Sequence, residues 1–314
     1  MGRYIARRLL LAIFVLFAIS LLIFGGVRLI PGNVCLIVLG SAEAVERCPQ
    51  VEHDLGLDQP VVKQYFHWFG NVLQGDLGRS MVNRRPVAGE IQRRMYTTVE
   101  LAVLAGAFAV ALALPIGIYS ALRQDKLPDV ALRVVTVGWL AMPSFWVGSM
   151  LITLPAKWWG YSPPVPYVQI WEDPLKNLEQ IYLPAIALGL ALSATLARIT
   201  RSSMLEVLRQ DYIRTARAKG LDDRVVLSKH ALKNAMLPVI TLFGLQLGFL
   251  LGGTVVLESL FALPGLGTLL LSAVLTKDYP EVQGLVLFFA VIIILINLLV
   301  DLSYAWFDPR VKYS

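Results

Sequence analysis

Residues 211–224 read DYIRTARAKGLDDR, with Arg214, Arg217, Lys219 and Arg224 set between two long apolar runs. Outward from this patch the chain is oily. Of 314 residues 56% are hydrophobic and only 16% are charged, and the mean hydropathy is +0.64. Soluble domains usually carry about a quarter charged residues, so the composition places the chain in the membrane class. A net charge of +6 does not point to nucleic acid, because the basic residues gather at the ends of apolar runs. That distribution is how membrane topology is set.

Leu9 to Val27 runs without a charge after Arg3, Arg7 and Arg8. It is long enough to cross a hydrocarbon core of roughly 30 Å. A secretory signal peptide would show an apolar region of roughly 7–15 residues and a small-residue cleavage site, so this run is read instead as a first transmembrane helix. Five further spans are expected: Thr97 to Tyr119, Leu132 to Leu154, Tyr182 to Thr200, Leu237 to Leu257, and Val282 to Trp306. Pro184 and Pro238 lie near span starts, where a first-turn N–H has no intrahelical partner anyway. Pro115 and Pro143 lie deeper and are expected to kink their helices.

Six spans put both termini on one side. With the amino terminus inside, the inner segments hold 17 of the 28 Lys and Arg residues. The outer cations fall mostly in residues 31–95, and long segments weigh less in this rule. The expected organisation is an inner tail and first helix over 1–30 and an extracytoplasmic segment over 31–95. A transmembrane core over 96–306 follows, with a cytoplasmic loop at 201–236, and then an inner tail over 307–314. In the outer segment, Pro60 followed by Val61, Tyr65, Phe66, Phe69, Val72 and Leu73 has helical spacing. Cys35 and Cys48, the only cysteines, both fall there on the oxidising side. They are candidates for a disulfide, with two unpaired thiols as the alternative.

Three spans carry small residues at intervals of four: Ala105, Ala109, Ala113 and Gly117; Ala185, Gly189, Ser193 and Ala197; and Gly244, Gly248 and Gly252. Small faces let backbones approach closely in lipid, so these helices are expected to form the core. Thr136, Ser144 and Gln246 are candidates for a pathway, or bond only to neighbouring helices. No phosphate-binding loop, metal-ligand spacing or nucleophile elbow is present, so no cofactor, metal or enzymatic role is expected.

In the inner loop, Ser203 and Glu206 form a candidate capping box. Met204, Leu205, Leu208, Tyr212 and Ile213 would supply an apolar face. Asp211 would cap a short helix closing at Gly220, a residue suited to a left-handed position. Ala216 and Ala218 would keep that helix slim enough to enter a groove on another protein. Contact with anionic membrane lipid is the other reading of such a basic segment.

Arg214-Thr215-Ala216-Arg217-Ala218-Lys219-Gly220 resembles the EAA loop of ATP-binding-cassette importer permeases. Ala216 and Gly220 match that pattern, while Arg214 and Thr215 replace its Glu and first Ala. The closing Leu237-Pro238 lies farther from the glycine than in sugar-type permeases, which is similar to the dipeptide, oligopeptide and nickel branch. In the same order along the chain, Arg28 to Gly32, Leu55 to Pro60, Gly75 to Ser80, Met142 to Trp146, Leu263 to Gly267 and Asp308 to Arg310 also resemble that branch.

The resemblance implies an all-α membrane protein with the type I ABC importer transmembrane fold, six transmembrane helices, and a helical extracytoplasmic segment between the first two. It also implies that Asp211, Tyr212, Arg214, Thr215, Ala216, Arg217, Lys219 and Gly220 form a coupling helix docked on a cytoplasmic ATPase. The other implied partners are a second, homologous permease subunit and an extracytoplasmic substrate-binding protein. Both termini would be cytoplasmic at a bacterial-type inner membrane. The implied solutes are di- and oligopeptides, with nickel complexes, glutathione or oligosaccharides as alternatives. A secondary transporter or channel working alone would instead show inverted repeats and intramembrane acids along a route.

Overall fold

Apolar runs of this kind become helices because a backbone in hydrocarbon must satisfy its own N–H and C=O groups. A computed structural model describes residues 2–29 and 58–307, so Cys35 and Cys48 lie outside the described residues. The helices are α1 (Gly2–Leu29), α2 (Val61–Leu73), α3 (Val87–Leu122), α4 (Leu127–Ala141), α5 (Ser144–Trp159), α6 (Pro174–Leu208), α7 (Asp211–Ala218), α8 (Lys233–Leu260), α9 (Leu266–Leu275) and α10 (Tyr279–Phe307). A single turn at Asp223–Val225 and a π-helical stretch at Val226–Leu232 lead into α8. Among the described residues, five helices are long and apolar enough to cross a membrane, or six when α4 and α5 are taken as one broken span.

The third expected span, Leu132 to Leu154, is not a kinked helix. It is two helices bent by 96°. Proline forces the residue before it out of the helical region. Met142 is accordingly extended (φ −88°, ψ 120°), and Pro143 (φ −59°, ψ 137°) becomes the N-cap of α5. The spans at Thr97, Tyr182 and Leu237 start earlier than their apolar runs, at Val87, Pro174 and Lys233. Helix continues into polar sequence there, so Pro184 and Pro238 are interior residues rather than first-turn ones. Pro115 likewise lies inside an unbroken α3.

The chain divides into two compact units. One takes the residues up to Tyr96 together with Pro264–Leu295. In it, α1 buries Ser20, Phe24 and Val27. Ser20 Oγ and Tyr65 OH of α2 lie 2.8 Å apart, and the Phe24 and Tyr65 rings meet edge-on at 5.2 Å. Arg28 donates to Gln64 Oε1 at 2.5 Å while its guanidinium lies 3.5 Å over the Phe24 ring. The loop after α2 is fastened by buried Asp278, which accepts from Ser80 Oγ and from Met81 N at 3.1 Å. Glu90, at the start of α3, is ringed by Arg85 (3.2 Å), Arg93 (3.6 Å) and Arg94 (3.7 Å).

The second unit takes Thr97–Leu263 with the residues from Ile296 onward. Its core is built by α3, α5, α6 and α8 around Leu101, Ala105, Ala109, Ala113, Leu196 and Leu257. A Cβ on Gly189 would sit 2.7 Å from Ala105 O, and one on Gly117 would sit 2.7 Å from Ala197 O. Both contacts advance together along the chain, so α3 and α6 run in the same direction and meet closely at two levels.

The Gly189→Ala variant should therefore drive a methyl into backbone and destabilise the protein by about 1–3 kcal/mol. Gly138→Ala, where a Cβ meets nothing within 4 Å, should be neutral or slightly stabilising. Thermal melts of the two variants in detergent measure the difference, and equal melting temperatures would contradict the close packing.

Candidate functional site

The short helix α7 is held by its own ends. Gln210, not Asp211, is the N-cap; Asp211 is the first helical residue. Asp211 in the first turn and Arg217 in the last both suit the helix dipole. At the other end Gly220 has φ +80°. Gly220 N–H donates to Arg217 O at 2.9 Å and Leu221 N–H to Ala216 O at 3.4 Å. These are the two bonds of a Schellman closure. The helix therefore ends at Ala218 and turns away at a position where a side chain would be strained.

Ile213 and Ala216, three residues apart, face inward at 0% and 7% exposure, while the Arg214 side chain is 75% exposed. They rest on a bed of Ala121 from α3, Met204 from α6, Val226 and Ala231 from the π-helical stretch, and Ala235 from α8. Ala216 is thus small because it meets this protein's own core, not because it enters a groove elsewhere. Ala218 is the alanine on the open face, with Arg214, Thr215, Arg217, Lys219 and Gly220 also exposed. Asn234 Nδ2 donates to the Tyr212 hydroxyl at 2.9 Å, and Arg217 Nε donates to Asp223 Oδ1 at 3.1 Å. The expected capping box at Ser203 and Glu206 does not form, because α6 runs through both residues to Leu208.

Beside this bed lies an ionic knot that sequence reading missed. Asp129 in the first turn of α4 is fully buried. Arg201 of α6 grips it with two bonds, Nε to Oδ1 at 2.8 Å and Nη2 to Oδ2 at 2.7 Å. Ser120 Oγ and the Asp125 N–H (2.9 Å) complete its shell, and Arg133 Nε lies at 3.5 Å. The partners are 72 residues apart, so no spacing rule could have paired them. Arg209 Nη2, at the C-cap of α6, donates to Gln124 Oε1 in the turn between α3 and α4 at 3.3 Å.

The residues proposed to pack helices take several positions. Ala105, Ala109 and Ala113 are fully buried, and Gly117 lies against Ala197 and Thr200. Gly189 lies against Ala105, and Ser193 is buried with its hydroxyl donating to Leu190 O at 2.7 Å. Gly244 meets Val300, Gly248 is half-buried, and Gly252 is exposed with nothing within 4 Å of its would-be Cβ.

Of the candidate pathway residues, Thr136 is buried and donates to Leu132 O at 2.9 Å. Ser144 opens α5, and Gln246 is half-buried on α8. The three lie on different helices and share no hydrogen bond. Polar groups deeper in this unit went unanticipated. Thr98 Oγ1 donates to Glu258 Oε1 at 2.7 Å and links α3 to α8. Tyr167 OH donates to Glu100 Oε2 at 2.8 Å, and burial with that bond pushes the phenol up to about 12.

Comparison with known proteins places these features in context. Residues 113–313 match the model of the binding-protein-dependent transport system inner membrane component, and residues 1–102 match that of its N-terminal part. The glutathione transport system permease protein GsiC of Escherichia coli (strain K12) is 41% identical over 314 residues, covering 100% of both chains. Among solved structures, the MetNI methionine ABC transporter in inward-facing conformations is similar with a TM-score of 0.55 at 15% identity. That match covers 70% of this chain and 96% of the other. An amino acid ABC transporter with histidines gives a TM-score of 0.50 at 15% identity, covering 71% and 95%. These two show the fold.

Removing one partner of a buried ion pair leaves an uncompensated charge and typically costs about 3–5 kcal/mol. Arg201→Met should therefore destabilise the protein by about that much, while Asp129→Leu with Arg201→Met should recover most of the loss. A thermal-melt double-mutant cycle in detergent reads the coupling, and additive losses would show that the knot carries none.

Proposed function

We propose, on the premise that this chain belongs to the family of binding-protein-dependent transport system inner-membrane components, that α7 is where a separate cytoplasmic ATPase drives the import of short peptides such as glutathione. The chain is a permease component of an ABC importer and a multi-pass protein of the inner membrane. The observation that carries the substrate is the end-to-end similarity to a glutathione permease, 41% over 314 residues. Selectivity would be shared with an extracytoplasmic binding protein, and a second, homologous permease subunit would complete the pathway. The chain itself would do no chemistry. Both of its termini would lie on the side of α7, in the cytoplasm.

The geometry supports α7 as the coupling element in two ways. Its inner face is seated on residues of α3, α6 and α8, so a push on it reaches three long helices together. Its outer face presents Arg214, Thr215, Ala218 and Lys219, a small central residue flanked by long cations, suited to a partner groove with acidic margins. In this reading, closure of the ATPase pair on ATP moves the two coupling helices together and turns the permease from inward- to outward-facing. Hydrolysis then resets it.

Three substitutions test the site in the assembled transporter. Ala218→Trp obstructs the open face, Ala216→Trp lifts the helix off its bed, and Gly220→Pro removes an N–H donor at a positive φ. Each should lower glutathione uptake by about 5–150-fold, the range set by a coupling free energy of about 1–3 kcal/mol, with membrane insertion intact. Wild-type uptake in all three would exclude α7 as the coupling element. Strong uptake of an unrelated solute with none of glutathione would overturn the substrate alone.

A further inference from the structure

We propose that α2 is sunk into the membrane as a re-entrant helix, with Val62, Phe66 and Leu73 against lipid acyl chains and its polar flank against water. Depth is read from the helix it packs on. The uncharged run of α1, Leu9 to Val27, amounts to about 28 Å of helix, which matches a hydrocarbon core of roughly 30 Å. Phe17 therefore stands near the middle of the bilayer, and Arg28 just past the end of the run.

Four α1 residues on one stripe meet α2 at successive depths. Arg28 donates to Gln64, the Phe24 ring lies 5.5 Å from that of Trp68, Ser20 Oγ and Tyr65 OH are 2.8 Å apart, and the Phe17 ring lies 5.9 Å from that of Phe69. From Gln64 to Phe69 the partner moves back from residue 28 to residue 17, about 16 Å toward the bilayer centre. The chain then turns at Gly75, where φ is +85°, and climbs. A Cβ on Gly284 would lie 3.5 Å from the Leu77 side chain, and Met81 packs in one cluster with Val27, Tyr279 and Val282. Met81 is thus back at the end of the α1 apolar run. Residues 61–81 enter and leave on the same side, so they add no span. The 13 residues of α2 measure about 20 Å, enough to reach the centre and not to cross.

At that depth the two flanks of α2 demand different surroundings. Val62, Phe66 and Leu73 form one stripe and are 67%, 65% and 73% exposed. The stretch of α1 that α2 follows also exposes Leu21 and Leu22, as a membrane-crossing helix does toward acyl chains. The apolar stripe continues that surface. The other flank carries His67, Asn71 and Gln74, and the turn at Gln74, Gly75 and Asp76 is exposed. Non-helical backbone at membrane depth persists only inside protein or along a water-filled cavity. Polar side chains there likewise face such a cavity. Helix α2 is therefore a partition, with hydrocarbon on one flank and an aqueous recess on the other.

The test places single nitroxide labels at Val62→Cys, Phe66→Cys, His67→Cys and Leu73→Cys in the full transporter held in lipid nanodiscs. The signal of the unsubstituted transporter is subtracted. Collisions with oxygen, which concentrates in hydrocarbon, are compared with collisions with a nickel chelate, which stays in water. The oxygen-to-nickel ratio at Phe66→Cys and Leu73→Cys should exceed that at His67→Cys by about tenfold, because a hydrated chelate is excluded from hydrocarbon. The ratio should also rise from Val62→Cys through Phe66→Cys to Leu73→Cys as α2 descends.

Nickel collisions dominating at Phe66→Cys would put α2 above the membrane and overturn the proposal. Few collisions with either reagent there would also overturn it, since protein would then cover the stripe. Equal ratios at Val62→Cys, Phe66→Cys and Leu73→Cys would describe a helix lying flat among the headgroups, and oxygen dominating at His67→Cys would remove the aqueous recess. The measurement needs neither ATP nor solute, so its outcome is independent of the coupling role of α7.

Discussion

Where α3 passes α6, the peptide oxygen of Ala105 lies so near the Cα of Gly189 that a single methyl would collide with it at 2.7 Å. Lipid tails are as apolar as leucine, so no hydrophobic force presses helices together inside a bilayer. Cohesion there comes from short-range packing, which needs backbones at close range. Gly117 repeats the arrangement against Ala197 and Thr200 one register further on. The core of the larger unit, including the contacts of α5 and α8, is assembled around that pair of parallel helices.

Polar interactions then finish what close packing begins. Toward the α7 end, Asp129 ties α4 to α6 through Arg201 and to α3 through Ser120. Toward the opposite end, Glu100 accepts from Tyr167, and Asn177 holds Val168 O at 3.0 Å. Gln180 takes Pro166 O at 2.6 Å and receives Val168 N–H at 2.8 Å. The segment between α5 and α6 is thereby sewn to α6 by its backbone. Buried groups of this kind are costly unless satisfied; the bonds above meet that need at the helix ends, while Glu100 Oε1 and Thr200 Oγ1 are buried with no hydrogen-bond partner among the described residues.

Much of this was legible in the residues. The apolar runs announced the spans because hydrocarbon demands them, and Gly220 announced the end of α7 because its left-handed turn favours glycine. Helix ends were less legible: α3 begins ten residues before its apolar run, since polar residues such as Glu90 and Arg94 continue a helix as well as leucine does. Pro143 was read as a kink and proved a full break because Met142 is also driven out of the helix. Helix α9 went unrecognised, being far too short to span. At the site, the inward turn of Ala216 and the pairing of Asp129 with Arg201 depend on surfaces distant in sequence, which no local pattern encodes.

The placement of Gly189 along α6 has a mechanical corollary. It stands fifteen residues after Pro174 and fifteen before Met204, the residue on which α7 rests its weight. Each side amounts to about 22 Å of helix. The arm toward Met204 is clamped a second time, where Gly117 of α3 lies against Ala197 and Thr200. Met204 follows Thr200 by about one helical turn, so the seat of α7 is carried on a length of α6 that cannot shift without taking α3 with it.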